Sequence, residues 1–117
     1  MAVSRVHQRE IVEVPYTLPD GNILVHPALV LSREAIQDYE DGLFYAVMIS
    51  TKNHYPELTI QIKNEWLNKP MPKQSYFVTH LIQAFSVDEV ISRHSVFVRD
   101  QYFRILVDKI VKNVIWG

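Results

Sequence analysis

IVEVPY (residues 11–16), the turn PDGN (residues 19–22) and HPALVLS (residues 26–32) form the stretch that decides the fold of this 117-residue chain. Two strand-like runs are separated by a turn rich in proline, aspartate and glycine, which is the pattern of a β-hairpin. The second run opens with His26 directly before a proline. We expect that proline to hold His26 in a stiff loop, where an imidazole that changes charge near neutral pH can act as an acid or a base.

Length and composition predict one compact domain spanning residues 1–117, since a chain of this size buries a single core. Apolar residues make up 48% of the chain and charged residues 21%, which is ordinary for a globular protein and argues against disorder. No apolar run approaches the length of a membrane span, and residues 1–7 contain no signal-peptide core. We therefore expect a cytoplasmic protein without a membrane partner.

The absence of cysteine excludes disulfides, a thiolate nucleophile and cysteine-based metal sites. The formal net charge of −1 gives no global basic field of the kind that coats nucleic acid. Four lysines in the middle of the chain leave two interpretations open, a one-sided positive surface or scattered surface charge. They are Lys52, Lys63, Lys69 and Lys73.

The remaining pattern is that of a small antiparallel barrel with one closing helix. Ser32 is predicted to cap a short helix over residues 33–38, and LFYAVMI (residues 43–49) is predicted to be the central strand. Further strands are predicted over residues 28–31, 58–62 and 95–98, and residues 75–85 are predicted to form one long strand or a bent pair. Apolar residues at three- and four-residue steps predict a helix over residues 100–115. The fold class is therefore mainly β with a C-terminal helix.

Five dispersed histidines raise the question of a metal site. None of them forms an HxH or HExxH spacing that would place two ligands on one element, and no GxSxG elbow surrounds a serine. We therefore expect no metal, no cofactor and no serine triad.

The loop STKNHYP (residues 50–56) brings two hydroxyls, an ammonium, an imidazole and a phenol together after the central strand. Such groups suit the binding of a phosphodiester. If this loop lies beside the second strand, His26 faces Ser50 and Thr51 across a cleft. His26 could then take a proton from a ribose 2′-hydroxyl while the other donors hold charge on the phosphate. This is metal-free RNA cleavage; plain turn chemistry and a surface histidine are the alternative.

Aromatic side chains near strand ends or loops are candidates for stacking on the bases of single-stranded nucleic acid. They are Tyr16, Tyr55, Trp66 and Tyr76. Burial of Trp66 against the barrel is an equal alternative. The phenylalanines are expected in the core, namely Phe44, Phe77, Phe85 and Phe103. The resulting candidate RNA-binding residues are Tyr16, Lys52, His54 and Tyr55, beside the candidate catalytic residues His26, Ser50 and Thr51.

Together these segments resemble the MazF/PemK family of type II toxin–antitoxin ribonucleases. IVEVPY (residues 11–16) is similar to the family's opening strand IVxVxF, and HPALVLS (residues 26–32) is similar to RPALVLS. VMIST (residues 47–51), followed by YPEL (residues 55–58), matches the apolar strand, its Thr or Ser pair and the next strand entry. SYFV (residues 75–78) and the C-terminal helix follow in the expected order.

The resemblance implies an SH3-like barrel that forms a homodimer, cleaves single-stranded RNA without a metal, and is inhibited by an antitoxin peptide lying in the RNA groove. It also implies a catalytic role for Ser50 or Thr51, and for the residue before Pro27. That residue is His26, where the family has arginine, and Arg9-Glu10 replaces the family's glycine-acid pair.

Histidine is only partly charged at neutral pH and has fewer donors than a guanidinium. Two interpretations follow. His26 acts as general acid or base with Lys52 or Arg9 supplying positive charge, or the chain is a catalytically inactive barrel that binds RNA or a peptide. A plain structural subunit, with the apolar helix packing in a dimer, is a third interpretation.

Overall fold

The computed structural model describes residues 5–116, which form six β-strands and two α-helices. In chain order these are β1 (Glu10–Thr17), β2 (Ile23–Val30), α1 (Ile36–Tyr39), β3 (Leu43–Ser50), β4 (Thr59–Gln61), β5 (Tyr76–Ser86), β6 (Ser92–Phe97) and α2 (Asp100–Val111). Short 3-10 turns precede β4 and β6, and a π-helical turn, Lys112–Trp116, continues α2. No helix among these residues is long and apolar enough to span a bilayer.

All strand pairs are antiparallel, in the order β4-β5-β3-β2-β1-β6. The end strands β4 and β6 form no ladder with each other within residues 5–116. The segment after β4 spans the gap instead, through a bridge between Leu67 and Val98 and a hydrogen bond from the Asn68 N–H to the Phe97 carbonyl (3.1 Å). The mainly β, barrel-like fold with a C-terminal helix is confirmed.

Strand β3 is central because both of its faces are buried. Phe44, Ala46 and Met48 pack in the barrel interior, whereas Val47 and Ile49 pack in a second cluster with α2. The helix contributes the apolar face that the three- and four-residue spacing predicted, with Phe103, Leu106 and Ile110 buried. All four phenylalanines expected in the core are buried there.

Strand β2 is longer than predicted, and this corrects the interpretation of His26. The strand begins at Ile23, so that His26 lies within it, opposite Val14, and not in a loop. Strand β3 pairs only with residues 28–30 of β2. The first half of β2 is therefore a free edge on that side, where a proline such as Pro27 is tolerated because no ladder needs its missing N–H.

The predicted helix cap at Ser32 is also wrong. Helix α1 is a single turn preceded by Ala35, and no side chain caps it. The Ser32 hydroxyl oxygen instead accepts a hydrogen bond from the backbone N–H of Tyr45 (2.9 Å). Serine competes for backbone groups wherever they are unpaired, and here a strand donor is nearer than a helix end.

Candidate functional site

A cleft of about 510 Å³ opens where the free half of β2 diverges from the end of β3. Its walls come from the β1–β2 turn, β2, the loop after β3, the start of β4 and the middle of β5. The lining side chains with polar or charged groups are Asp20, His26, Ser50, Thr51, Lys52, His54, Tyr55, Thr59 and His80. The cleft therefore brings together six of the seven residues that the sequence analysis proposed.

His26 is fixed by a contact across the gap between β2 and β3. Its Nδ1 atom lies 3.3 Å from the backbone carbonyl oxygen of Ile49. Because a carbonyl oxygen can only accept, Nδ1 must carry the proton in this contact, and in the neutral ring Nε2 then holds the free lone pair. The fold thus orients His26 in the tautomer that can remove a proton through Nε2.

The loop after β3 begins with a tight turn at Ser50. The Ser50 hydroxyl oxygen accepts a hydrogen bond from the backbone N–H of Lys52 (3.1 Å), and the Thr59 hydroxyl donates to the Asn53 side-chain oxygen. Thr51 and Lys52 are exposed at the cleft rim. A short loop bonded at both ends holds a hydroxyl and an ammonium close to His26, which suits the binding of an anionic group.

His54 and Tyr55 form the outer part of the same rim, and both are exposed. The Tyr55 ring meets the ring of His80 edge-on, with centroids 5.2 Å apart and planes at 87°. This edge contact leaves the phenol exposed at the mouth of the cleft.

His80, like Asp20 and Thr59, is a polar cleft residue that the sequence analysis did not propose. It lies in a bulge of β5, because Val47 pairs with Ile82 whereas Ile49 pairs with Phe77, so that four residues of β5 stand opposite Met48 alone. The bulge breaks strand alternation and turns three side chains toward the cleft, Val78, His80 and Leu81. His80 Nδ1 is buried there without a hydrogen-bond partner within residues 5–116.

Tyr16, proposed to stack on RNA, is not in the cleft. Its side chain is 0% exposed, and its hydroxyl lies 2.7 Å from the Ala46 carbonyl oxygen and 3.0 Å from that of Leu81. Burial raises the pKa of this phenol. Val12, Val14 and Tyr16 share one face of β1, and that face is the barrel interior. The two-residue alternation from Val12 was the signal that could have placed Tyr16 in the core.

Arg9 also lies outside the cleft, so of the two residues considered as a source of positive charge beside His26, Lys52 is the one that lies there. Its guanidinium donates to the Val98 carbonyl oxygen (2.9 Å), beyond the opposite end of β1 from the turn that borders the cleft. Its backbone has φ of +77°, in the region that favours glycine. Arg9 thus has the backbone conformation that explains a glycine at this position in the resembled family.

The remaining stacking candidates differ in their surroundings. Trp66 stacks on Tyr102, with centroids 5.8 Å apart, and packs against the helix-side core. Tyr76 is half-buried beside Ser50, which is its pairing partner in β3. Trp66 is therefore half-buried by packing against α2, which is closer to the burial alternative than to a free stacking surface.

The charged side chains of the cleft are Lys52 and Asp20, and three imidazoles lie beside them. Asp20 is engaged in the β1–β2 turn, where its carboxylate accepts hydrogen bonds from the Asn22 backbone N–H (2.9 Å) and side-chain amide (3.0 Å). Within residues 5–116, no three histidine, aspartate or glutamate side chains are arranged to hold a metal ion.

A family profile described as PemK-like, MazF-like toxin of type II toxin–antitoxin system matches residues 7–113. The chain belongs to this toxin family. The sequence resemblance to MazF/PemK is thereby confirmed over most of the chain. No curated protein sequence matches this MazF-like toxin significantly.

Solved structures share the fold of this MazF-like toxin at low sequence identity. An endoribonuclease from Mycobacterial species is 13% identical with a TM-score of 0.70, and each chain is covered completely. A MazF from Deinococcus radiodurans is 12% identical with a TM-score of 0.73, over 93% of this chain and 96% of that one. A structure of an endoribonuclease in complex with its cognate antitoxin, also from Mycobacterial species, is 14% identical with a TM-score of 0.67, over 92% of this chain and 93% of that one.

Proposed function

We propose that this MazF-like toxin is an endoribonuclease that cleaves single-stranded RNA without a metal ion, with His26, Ser50 and Thr51 as its catalytic residues. The observation that carries the proposal is the contact between His26 Nδ1 and the Ile49 carbonyl, at the end of the strand that carries Ser50 and is followed directly by Thr51. It prepares Nε2 of the imidazole for proton transfer beside hydroxyl and ammonium donors.

In the proposed reaction, His26 Nε2 takes the proton of a ribose 2′-hydroxyl. The 2′-oxygen attacks the adjacent phosphorus, and the bond from phosphorus to the 5′-oxygen of the next nucleotide breaks. A cleft donor returns a proton to that leaving oxygen, which gives a 2′,3′-cyclic phosphate and a 5′-hydroxyl. Ser50, Thr51 and Lys52 hold the charge that develops on the phosphate, where fixed donors are most effective.

His54 and Tyr55 are proposed to contact the RNA at the rim. Tyr55 is more than half exposed, and its ring offers a surface on which a base can stack. Lys52 supplies a positive charge for the backbone.

We also propose an antitoxin partner and a homodimer. Among the relatives of similar fold are a mycobacterial endoribonuclease with its cognate antitoxin and MazE–MazF of Deinococcus radiodurans. A peptide inhibitor lying in the cleft would block the RNA and bury Leu24, an exposed apolar side chain of the cleft wall. The homodimer is an expectation of the family alone.

Purified protein incubated with mixed-sequence single-stranded RNA in EDTA tests the proposal. We expect fragments that end in a 2′,3′-cyclic phosphate, and loss of cleavage in His26→Ala and Ser50→Ala. Lys112→Ala, on the exposed surface after α2, is the matched control and should cleave normally. Intact RNA across several sequences, or cleavage that both cleft variants retain, contradicts the proposal.

Histidine at the family's arginine position favours a second candidate, an inactive barrel that binds RNA or a peptide. It predicts tight binding without turnover. A cleavage assay and a binding assay on the same preparation separate the two functions.

A further inference from the structure

A row of side chains crosses three neighbouring strands from the cleft toward the edge of the sheet. Ser50 of β3 is paired with Tyr76 of β5, and Tyr76 is paired with Gln61 of β4. Residues directly opposite each other in paired strands present their side chains to the same face. Since Ser50 lines the cleft, Tyr76 and Gln61 continue the same surface beyond it.

The row ends at a second, polar cavity of about 350 Å³ between β4 and the start of β5. Gln61 belongs to both the row and the cavity wall. The other polar side chains of the wall are Lys63, Asn64, Lys73, Gln74 and Ser75. The wall contains two ammonium groups and no acidic side chain among the described residues, although the whole chain has net charge −1.

Backbone hydrogen bonds fix the shape of this cavity. The Ile62 N–H donates to the Ser75 carbonyl (2.9 Å), and the hydroxyl of the buried Ser75 donates to the Lys73 carbonyl (3.0 Å). The Met71 N–H donates to the Asn64 side-chain oxygen (3.4 Å). The cavity is thus held by its own loop before any ligand arrives.

The lysines of the cavity are available for a ligand. Lys63 and Lys73 are exposed, and within residues 5–116 neither ammonium forms a hydrogen bond or an ion pair. By contrast, the Lys69 ammonium donates to the His94 carbonyl oxygen (3.2 Å).

Tyr76 lies between the two cavities, and its side chain is half-buried. Its hydroxyl accepts a hydrogen bond from the Gln74 side-chain amide (3.1 Å). An aromatic ring beside a row of polar groups is the arrangement on which bases of single strands stack.

We propose that the RNA strand leaving the cleft continues over Tyr76 and that Lys63 and Lys73 bind its backbone phosphates in the second cavity. This inference rests on the proposed function, because it assigns the path of the same substrate. Three adjacent strands cover about 10 Å from the first to the last, so a segment of a few nucleotides reaches from Ser50 to the lysines. The enzyme then holds RNA on one side of the cleaved bond by contacts that are independent of the catalytic groups.

The lysine contacts are tested by binding of a fluorescent single strand that lacks 2′-hydroxyls and is therefore not cleaved. Its affinity is measured by anisotropy over a range of salt concentrations. The double variant Lys63→Gln/Lys73→Gln should bind more weakly, and the slope of log affinity against log salt should decrease in magnitude by about 1.4, since each phosphate contact on a single strand contributes about 0.7. The control Lys109→Gln/Lys112→Gln removes the same charge from the C-terminal helical region and should leave the slope unchanged.

Strand length provides a second readout. A short strand that fills only the cleft should bind the wild type and the Lys63→Gln/Lys73→Gln variant equally. A series lengthened by one nucleotide at a time should gain affinity for the wild type alone once it reaches the second cavity.

Tyr76 is tested by Tyr76→Leu, which removes the ring, and Tyr76→Phe, which keeps it. Leucine should weaken binding of the long strand by about fivefold or more, whereas phenylalanine should preserve it. Thermal unfolding of each variant shows that the fold is retained.

The outcomes distinguish this inference from the proposed function. If the wild type binds RNA but Lys63→Gln/Lys73→Gln and its control Lys109→Gln/Lys112→Gln have equal salt slopes and equal affinities, the second cavity does not bind RNA. The proposed role of the cleft is then unaffected. A wild type that binds no single strand overturns both.

Discussion

His26 Nδ1 and the Ile49 carbonyl oxygen face each other at 3.3 Å across the gap between β2 and β3. The contact joins the two strands beyond the end of their ladder, since β3 pairs only with residues 28–30 of β2. It therefore both closes the base of the cleft and determines which nitrogen of His26 remains free. A guanidinium in the same place would carry a permanent charge and no lone pair.

Substitution His26→Arg tests whether this imidazole is a base. The His26→Arg variant should have a kcat/KM lower by about 100- to 10,000-fold, the usual contribution of a general base, because a guanidinium has no lone pair to accept the 2′-proton. Its RNA affinity should be retained, since the positive charge of arginine still attracts the phosphate. Cleavage rates and binding of the same RNA by both proteins measure the two effects.

His54→Gln is the matched control, because His54 is exposed at the rim of the same cleft. It should keep the wild-type kcat, because His54 is proposed to contact the RNA and not to move a proton. If His26→Arg cleaves as fast as the wild type, position 26 serves to hold phosphate and not to move a proton.

His80→Phe should raise the stability of the protein and lower its RNA cleavage activity. Phenylalanine keeps the edge contact with Tyr55 and removes the buried Nδ1 that has no partner within residues 5–116. An unsatisfied buried polar atom costs about 1–3 kcal/mol, so the free energy of unfolding should rise by about 1 kcal/mol. RNA turnover should fall, since the cleft loses an imidazole.

Urea unfolding and RNA cleavage on the same samples measure both effects. His54→Phe, which changes an exposed histidine of the same cleft, should leave stability unchanged. A less stable His80→Phe protein would show that Nδ1 has a water partner, and unchanged turnover would exclude His80 from the reaction.

Sequence patterns correctly predicted the strands and helices whose structure follows from their own sequence and does not depend on how a neighbouring strand pairs with them. The run 43–49 is apolar on both faces and is the central strand, and the helical spacing from Phe103 to Ile110 identifies the face that packs on the sheet. The position of His80 in the cleft was not predicted, because the bulge that places it there depends on the register between β5 and β3. The sequence of β5 alone does not show that register. That His26 lies within a strand was not predicted for a similar reason. A proline argues against an interior strand unless the partner on one side is known to stop short, as β3 does.

Two turn glycines with similar backbones should differ in their tolerance of alanine. Gly21 has φ of +91° and open space around a Cβ, whereas Gly42 has φ of +87° and a Cβ would lie 2.9 Å from Cγ2 of Val87. Left-handed backbone alone costs an L-residue about 1–2 kcal/mol. Gly21→Ala should lose about that much stability, and Gly42→Ala should lose a further 1–3 kcal/mol, roughly the cost of overpacking.

Urea unfolding of the two variants gives the comparison directly, with each serving as the control of the other. Restoring space in the double variant Gly42→Ala/Val87→Ala should reduce the excess cost of Gly42→Ala. Equal losses at the two glycines would show that Val87 moves aside freely.

Tyr16→Phe should destabilise the fold by about 1–3 kcal/mol at neutral pH, because the carbonyl oxygens of Ala46 and Leu81 lose the buried hydroxyl between them. The cost should shrink at high pH. Burial raises the pKa of Tyr16, so the folded protein keeps the phenol proton where the unfolded chain, with an ordinary pKa of about 10, releases it. The unfolded state then binds fewer protons, and Tyr16 makes the wild type lose about 1.4 kcal/mol per pH unit above that value. Phenylalanine has no such loss, so the difference in unfolding free energy between wild type and variant should be constant below pH 10 and narrow above it.

Denaturant unfolding of both proteins from pH 8 to 11 measures this difference in unfolding free energy, in which the ionisation of the other groups cancels. The exposed Tyr55→Phe is the control and should track the wild type throughout. If the difference in unfolding free energy stays constant above pH 10, the Tyr16 phenol ionises in the folded protein as readily as in the unfolded chain. That result would contradict the burial of its hydroxyl between two carbonyl oxygens in the barrel interior.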